Sequence, residues 1–264
     1  MKFVFPSFQL FSAERKGFEP SKRFHVYTLS SSVNESSNPL TPLNFYNLKQ
    51  YTITNNSQTY FTNFQDFKAV VSLTPQPIIL LEGTRKLSKV SDAVNIAKVG
   101  KLLSEQFPTA IFRTGNATGT DFYFSEGIEK YPNRILQKVI PYTGHRVKHA
   151  KPSQNTFSLS SISADELHYL TEVSSNANKL LRRLFDYNFQ NPSLTNKSTI
   201  RAKYLLRDTV KVIGSRGLGL APATFALLYV NENAPFVGGT GHTLQVCLKR
   251  QTPVITQQDF FKWI

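Results

Sequence analysis

IILLEGTRKLSKVSDAVNIAKVGKLLSEQFPTAIFRTGNATGTD, residues 78–121, changes from one hydrophobic pattern to another and back again. The four apolar residues 78–81 stand between a proline and a glycine, which favours a buried strand. Apolar residues then recur at helical spacing behind Ser91, which is predicted to cap a helix, and Pro108 ends that helix. Residues 110–113 are predicted to form a second strand. Strand, helix and strand in this order indicate a right-handed crossover between parallel strands.

The alternation of strands and helices continues towards the carboxyl terminus. The further predicted elements are a helix to about residue 130, a strand at 135–140, a long helix capped at Ser163 with an apolar stripe from Leu167 to Leu184, a shorter helix at 198–207, strands at 210–213 and 225–230, a helix to about residue 250 and a strand at 254–256. The sequence therefore predicts an α/β fold, a Rossmann-like open and mostly parallel sheet with helices on both faces. We assign this domain to residues 76–264, a lead-in of unclear structure to 41–75, and an N-terminal extension of doubtful order, outside the fold, to 1–40.

The composition narrows the class of partner. Thirty-one Lys and Arg residues against seventeen Asp and Glu give a net charge of +14, which favours phosphorylated or polyanionic ligands. The single cysteine, Cys247, excludes an intramolecular disulfide, so we predict a cytoplasmic protein in which this thiol packs against the sheet. No apolar run approaches the roughly 18 residues of a membrane span, so no membrane partner is expected. Homo-oligomerisation stays open.

Three predicted strands lead into loops that contain glycine and hydroxyl side chains. The carboxyl ends of parallel strands meet at one edge of a sheet, where ligands bind in folds of this class. The candidate ligand-binding residues are Gly83, Thr84, Arg85, Gly115, Asn116, Thr118, Gly119, Asp121, Gly238, Gly239, Thr240, Gly241, His242 and Thr243. We expect the third loop to bind a phosphate or another anion, because glycines admit a ligand close to the backbone and the next helix directs free N–H groups outward. Each loop is equally compatible with a tight turn that binds nothing.

The loops differ from the common motifs for nucleotide cofactors. None is followed by the Gly-Lys-Ser/Thr of a P-loop, and the first is not a G-x-G-x-x-G fingerprint. The sequence therefore predicts no cofactor. His145 and His149 are four residues apart but have no third ligand nearby, so no metal site is predicted.

Taken together, the three loops resemble motifs of the SLOG superfamily, which joins the Smf/DprA DNA-processing proteins with the lonely-guy proteins. GTR at residues 83–85 is similar to Gly-Ser-Arg of the Smf/DprA branch. TGNATGTD at 114–121 resembles its Ser-Gly-Gly-Ala-Arg-Gly-Ile-Asp, with Asn116 replacing the second glycine and Thr118 the arginine. GGTGH at 238–242 resembles Gly-Gly-x-Gly-Thr of the lonely-guy branch, with histidine replacing threonine.

This resemblance implies a Rossmann-like fold that binds a nucleotide, a nucleotide derivative or single-stranded DNA, and our leading hypothesis is a binding protein without catalytic activity. The charge distribution supports a nucleic-acid partner, because residues 145–211 hold eleven Lys and Arg against five Asp and Glu. The candidate nucleic-acid contacts are Arg182, Arg183, Arg201, Lys203, Arg207 and Lys211. Tyr204 and Phe185 lie nearby in the sequence for stacking on bases. Each of these charges, taken singly, also fits a solvated helix face.

The alternative function is that of a lonely-guy-like phosphoribohydrolase, which releases a base from a nucleoside monophosphate. The resemblance places an acidic residue of that branch at Leu244, which cannot ionise. Glu82 and Asp121 are predicted at the same sheet edge and are the catalytic candidates if the chain is a hydrolase. Asp121 is also placed to cap its own helix. Glu82 is placed either to bond a ribose hydroxyl or to be a solvated strand end. His242 is predicted either to donate a hydrogen bond to the ligand or to fill space beneath its loop.

Overall fold

The fold is described from a computed structural model, which covers residues 61, 63–146, 155–191, 193 and 195–264. The predicted N-terminal extension and His149 lie outside these residues. Within the described ranges, no helix is long and apolar enough to cross a membrane.

Strands and helices alternate through the described chain. The strands are β1 (Ile78–Gly83), β2 (Ile111–Thr114), β3 (Ile135–Ile140), β4 (Thr156–Ser158), β5 (Phe225–Tyr229) and β6 (Val254–Thr256). The α-helices are α1 (Phe64–Leu73), α2 (Ser91–Gln106), α3 (Thr120–Ile128), α4 (Ala164–Ala177), α5 (Arg182–Gln190), α6 (Lys197–Ile213), α7 (Gly238–Arg250) and α8 (Gln257–Phe260). These strands form one sheet in the order β4-β3-β2-β1-β5-β6, and every adjacent pair is parallel. The predicted Rossmann-like α/β fold is confirmed.

Helices cover both faces of the central strands, which explains their continuous apolar runs. Side chains alternate between the faces, so Leu81 and Tyr229 pack with α1, α2, α3 and α8. Leu80 and Leu228 point the other way, towards α6 and α7. Cys247 of α7 is buried on this second face, as predicted.

Helix α1 lies in the region predicted as a lead-in of unclear structure. The Asn63 side chain caps it by accepting the N–H of Asp66. Phe67 is fully buried, and its ring stacks on Trp263 with centroids 5.0 Å apart. The described part of the lead-in therefore contributes a helix to the main hydrophobic core. Residues 41–60 and 62 lie outside the described chain.

The strand predicted at 210–213 is wrong, because these residues form the last turn of α6. Their β-branched side chains favour a strand locally. Helical spacing nevertheless places Leu206 and Val210 on one side of α6, where they join a core with Val139 of β3. Tertiary burial overrides the local preference here.

The long helix predicted from Ser163 to Leu184 is also wrong in its extent. Ser163 does cap α4 by accepting the N–H of Glu166, but the helix stops at Ala177. Asn178 then leaves the helical region, with φ −135° and ψ 86°, in keeping with the low helix preference of asparagine. A 3₁₀ turn follows, and Leu180, predicted in the apolar stripe, is 95% exposed. The predicted cap of α2 at Ser91 is wrong as well, since that helix has no side-chain cap.

Candidate functional site

The carboxyl edge of the sheet contains a topological switch point between β1 and β5. The chain leaves β1 towards α2 on one face and leaves the neighbouring β5 towards α7 on the other. Loops that diverge in this way leave a crevice above the strand ends, which is the usual ligand site of open parallel sheets. The first and third glycine loops form its two sides, and the second loop lies beside the first, after β2.

Asp121 fastens the first two loops to each other. Its carboxylate accepts the N–H of Gly83 at 3.3 Å, that of Gly115 at 3.0 Å, and that of Ala117 at 3.3 Å. The Thr114 hydroxyl donates to the same carboxylate. The prediction that Asp121 caps its own helix is wrong, since α3 has no side-chain cap. Three of these four donors are backbone N–H groups, and two of them belong to predicted ligand-binding residues, Gly83 and Gly115.

Glycine is required at Gly119 for two reasons. Its φ is 83°, a region that L-residues with a side chain rarely adopt, and a Cβ there would overlap the carbonyl of Arg85. The Thr120 hydroxyl donates to the neighbouring carbonyl of Thr84 at 2.9 Å. Close backbone approach between the first two loops therefore fixes the backbone at Arg85, whose side chain is exposed.

A cluster of buried charges lies beneath the loops. The Lys211 Nζ is 2.7 Å from Glu82 Oε2 and 2.9 Å from Asp208 Oδ1. Arg207 binds the same Asp208 oxygen through Nε at 3.0 Å and Nη2 at 2.6 Å. Its Nη1 donates to the carbonyl of Gly115 at 2.9 Å. These four charged side chains, which we call the buried ion cluster, are 6% exposed or less and carry no net charge.

The buried ion cluster shifts the protonation of its members in opposite directions. Burial raises the pKa of Glu82 from its ordinary 4.5 to about 7, against the opposing effect of Lys211. Burial would raise the pKa of Asp208 too, but the charges of Arg207 and Lys211 bring it below its usual value. Lys211 itself stays charged, because the two carboxylates outweigh the effect of burial on its pKa.

Two of the predicted nucleic-acid contacts must be corrected. Arg207 and Lys211 were predicted on a basic surface, but their cationic groups form ion pairs with the carboxylates of the buried ion cluster. The absence of a side chain at Gly115 leaves room for both groups, because a Cβ there would lie 2.9 Å from the Arg207 Cζ and 3.0 Å from the Lys211 Nζ. Glu82 is likewise 3% exposed and is not the solvated strand end that was considered.

The start of α7 is the most open part of the predicted site. Gly238 is exposed and has φ 78°, and no side chain caps the helix. The first N–H groups of a helix have no intrahelical acceptor, so those of Gly238, Gly239 and Thr240 point out of the helix end. The helix dipole adds a partial positive charge there. Gly241 behind them is buried against the backbone of Phe236 and shapes the turn.

His242 and Thr243 point into the protein, so the prediction that they contact a ligand is corrected. The Thr243 hydroxyl donates to Glu82 Oε2 at 2.8 Å. The His242 Nε2 is 2.9 Å from the hydroxyl of Thr209, and its ring lies 5.6 Å from that of Phe185. Burial lowers the pKa of His242 from 6.5 to about 4, so the imidazole is neutral at pH 7. This favours the space-filling alternative for His242.

Exposed basic side chains line the first loop and the neighbouring helices. Arg85, Lys86 and Lys89 are exposed beside the crevice. Beyond it, Arg182 and Arg183 are exposed on α5, Arg201 is exposed on α6, and Lys203 is half-buried. The Tyr204 ring contacts those of Tyr142 and His145, which follow β3, so this part of α6 lies at the carboxyl edge too.

Sequence reasoning missed Asp208. The residue stands between Arg207 and Thr209, and the sequence pattern assigned it no role. The available signal was the spacing of Arg207, Asp208 and Lys211, which places three charges on one side of a helix whose neighbours are apolar. This spacing indicates a cluster only if residues 210–213 are helical, whereas the sequence pattern predicted a strand there.

Comparisons with known proteins add one distant structural likeness. No family model matches the chain, and no curated protein matches it. Among solved structures, the chain is similar to DNA processing protein A from Helicobacter pylori, a protein described by its single-stranded DNA binding mode. The TM-score is 0.38 and the identity 12%, over 74% of this chain and 69% of that chain. A superposition this partial locates no residue of the crevice.

Proposed function

We propose that the protein binds a phosphorylated ligand, a nucleotide, a nucleotide derivative or a single-stranded nucleic acid, in the crevice between β1 and β5 without transforming it. The observation that carries the proposal is the uncapped start of α7, which faces the exposed Arg85 loop across the switch point. Helix ends of this kind bind phosphate through backbone N–H groups and the helix dipole.

The electrostatics of the crevice support an anionic ligand. The two carboxylates of the buried ion cluster lie close to α7 and would repel a phosphate if they were unpaired. Lys211 and Arg207 neutralise them at distances of 2.6–3.0 Å. The field at the rim is then set by the helix dipole and by the exposed Arg85, Lys86 and Lys89.

The basic surface on α5 and α6 supports a strand of nucleic acid as one form of this ligand. Arg182, Arg183 and Arg201 are exposed, and the half-buried Tyr204 lies near them at the carboxyl edge. Such a surface holds phosphates without reading sequence. Affinity for single strands should then fall linearly with salt on logarithmic axes, with a slope of about −0.7 per neutralised phosphate.

Hydrolysis is the second candidate, and one observation favours it. Glu82, with a pKa of about 7, is a carboxylic acid able to transfer a proton near neutral pH. Asp121 is unsuited to a second role, because its carboxylate already accepts four hydrogen bonds. We expect no release of base from nucleoside monophosphates above the buffer control. Turnover that disappears in Glu82→Gln would favour the hydrolase instead.

A charge reversal at the rim tests the binding proposal. In calorimetric titrations with nucleoside 5′-monophosphates, Arg85→Glu should weaken binding about tenfold or more, because it replaces an attractive charge-assisted contact with repulsion. Lys130→Glu is the matched control, since Lys130 is exposed at the opposite edge of the sheet, before β3. Equal affinity of the two variants would remove the crevice as the binding site.

A further inference from the structure

Asp208 presents one carboxylate oxygen that is not used by the protein. Its Oδ1 receives Lys211 at 2.9 Å and two guanidinium nitrogens of Arg207. Throughout the part of the chain that the structure describes, no donor bonds to Oδ2. The residue as a whole is only 1% exposed, so little solvent reaches this oxygen. A hydrogen-bond donor from a ligand could use it.

The unused oxygen faces the start of α7. A Cβ built on Gly239 would lie 2.9 Å from Asp208 Oδ2, and apart from its chain neighbours and its own helix backbone no other heavy atom of the described residues lies within 4 Å of that position. The glycine therefore keeps open a space that has an acceptor on its inner side. Gly239 is half-buried and belongs to the same helix end whose N–H groups face the crevice. A phosphate on the helix end and a donor on Asp208 would thus belong to neighbouring parts of one ligand.

The charge balance selects the kind of donor. Arg207 and Lys211 already neutralise Glu82 and Asp208, so the buried ion cluster has no excess negative charge to attract a cation. The remaining lone pairs of Oδ2 suit a neutral O–H group. Among phosphorylated ligands, a ribonucleotide carries such hydroxyl groups on the sugar, close to its phosphate.

We propose that Asp208 Oδ2 accepts a hydrogen bond from a ribose hydroxyl, and that this contact makes the crevice selective for ribonucleotides. The inference rests on the proposed function, and it narrows the ligand class. Within a DNA strand the 2′-hydroxyl is absent and the 3′-hydroxyl is esterified, so this acceptor would stay unpaired. A DNA strand therefore gains nothing from Asp208, whereas a ligand with a ribose hydroxyl does.

Titration with matched ligand pairs tests this selectivity. Wild-type protein is titrated with adenosine, guanosine, cytidine and uridine 5′-monophosphates and with the 2′,3′-dideoxy form of each. A hydrogen bond to a charged acceptor corresponds to about a tenfold or larger preference, so the dideoxy ligand should bind at least about tenfold more weakly. Asp208→Asn should reduce this preference.

A second variant keeps the test decisive if Asp208→Asn does not fold. Gly239→Ala fills the open space with a methyl group 2.9 Å from Asp208 Oδ2, so this oxygen must shift, while all four charged side chains of the buried ion cluster are kept. It should lower ribonucleotide affinity more than dideoxy affinity and so reduce the preference between the two forms. Equal wild-type binding of both forms would overturn the selectivity while the proposed function stands. A Gly239→Ala variant that loses both forms alike would overturn it as well. Failure of every monophosphate to bind would overturn both proposals.

Discussion

Lys211 and Arg201 are cations of the same helix, ten residues apart, and they have opposite surroundings. Lys211 is fully buried and lies within 2.9 Å of two carboxylates, whereas Arg201 is exposed at the end of α6 that extends past the sheet. Buried charges in this protein fix loops in place, and exposed charges are available to a partner. Residue type and local spacing do not separate the two groups, because both follow helical periodicity.

The largest expected effect concerns the buried ion cluster. Lys211→Met leaves Glu82 and Asp208 without their shared cation, and breaking a buried ion pair typically costs about 3–5 kcal/mol of unfolding free energy. Arg201→Met, on the exposed part of the same helix, should change stability by less than about 0.5 kcal/mol. Urea unfolding of both variants measures the contrast. Similar losses in the two would show that burial does not distinguish them.

A smaller loss is expected when the loops are released from each other. Asp121→Ala leaves the N–H groups of Gly83, Gly115 and Ala117 without their acceptor, which should cost about 3 kcal/mol. Asp165→Ala, at an exposed position in the first turn of α4, is the control and should cost under about 1 kcal/mol. Chemical denaturation again reports the difference. An Asp121→Ala variant as stable as its control would contradict the role of this carboxylate.

The buried histidine predicts a pH dependence of stability. The pKa of His242 is lowered to about 4 in the folded protein from an ordinary 6.5, so the unfolded chain binds the proton more readily. The contribution of His242 to the unfolding free energy is fully present above pH 6.5 and decreases as the pH falls towards 4. Between pH 8 and pH 5, the unfolding free energy of the His242→Gln variant should fall by about 2 kcal/mol less than that of the wild type. An identical pH dependence of wild type and variant would contradict the buried, neutral imidazole.

The smallest effect on stability is expected at the exposed basic surface. Reversing Arg182 and Arg183 to Glu removes one solvent-exposed ion pair with Asp186 and should change unfolding free energy by less than about 1 kcal/mol. The same change should weaken binding of single-stranded DNA equally for all sequences, because phosphate contacts do not read bases. Fluorescence anisotropy with two unrelated oligonucleotides measures this. Unchanged affinity at low salt would remove α5 from the proposed contact surface.

Most of the sheet was predictable because its strands are buried on both faces. The apolar runs of β1 and β5 and the exact span of β3 follow from local pattern and flanking glycine or proline. The last turn of α6 was not predictable in this way. Its sequence, VKVI, alternates like a strand, and packing against the sheet together with the ion pairs of Lys211 holds it in a helix. Such long-range contacts are absent from a local window.

The positions of the glycine loops were predictable, but the directions of their side chains were not. Glycines at strand ends correctly indicated tight loops at one sheet edge, including Gly119 with its positive φ. Which side chains face inward depends on the helix that follows each loop. Thr243 therefore bonds to Glu82, while Gly239 lies at the open side. Asp208 belongs to α6. The sequence pattern predicted the residues of this helix as two elements, a helix and a strand, and therefore did not indicate that Asp208 lies at the site.

Backbone amide shifts on ligand titration test the central claim most directly. In ¹⁵N-labelled protein titrated with a ribonucleoside 5′-monophosphate, the signals of Gly239 and Thr240 should move together with those of the Arg85 loop, with one dissociation constant. Signals of α3 residues near Lys130, at the opposite edge, should stay in place. Shifts confined to α5 and α6, or none at residues 238–240, would contradict a phosphate site at the start of α7.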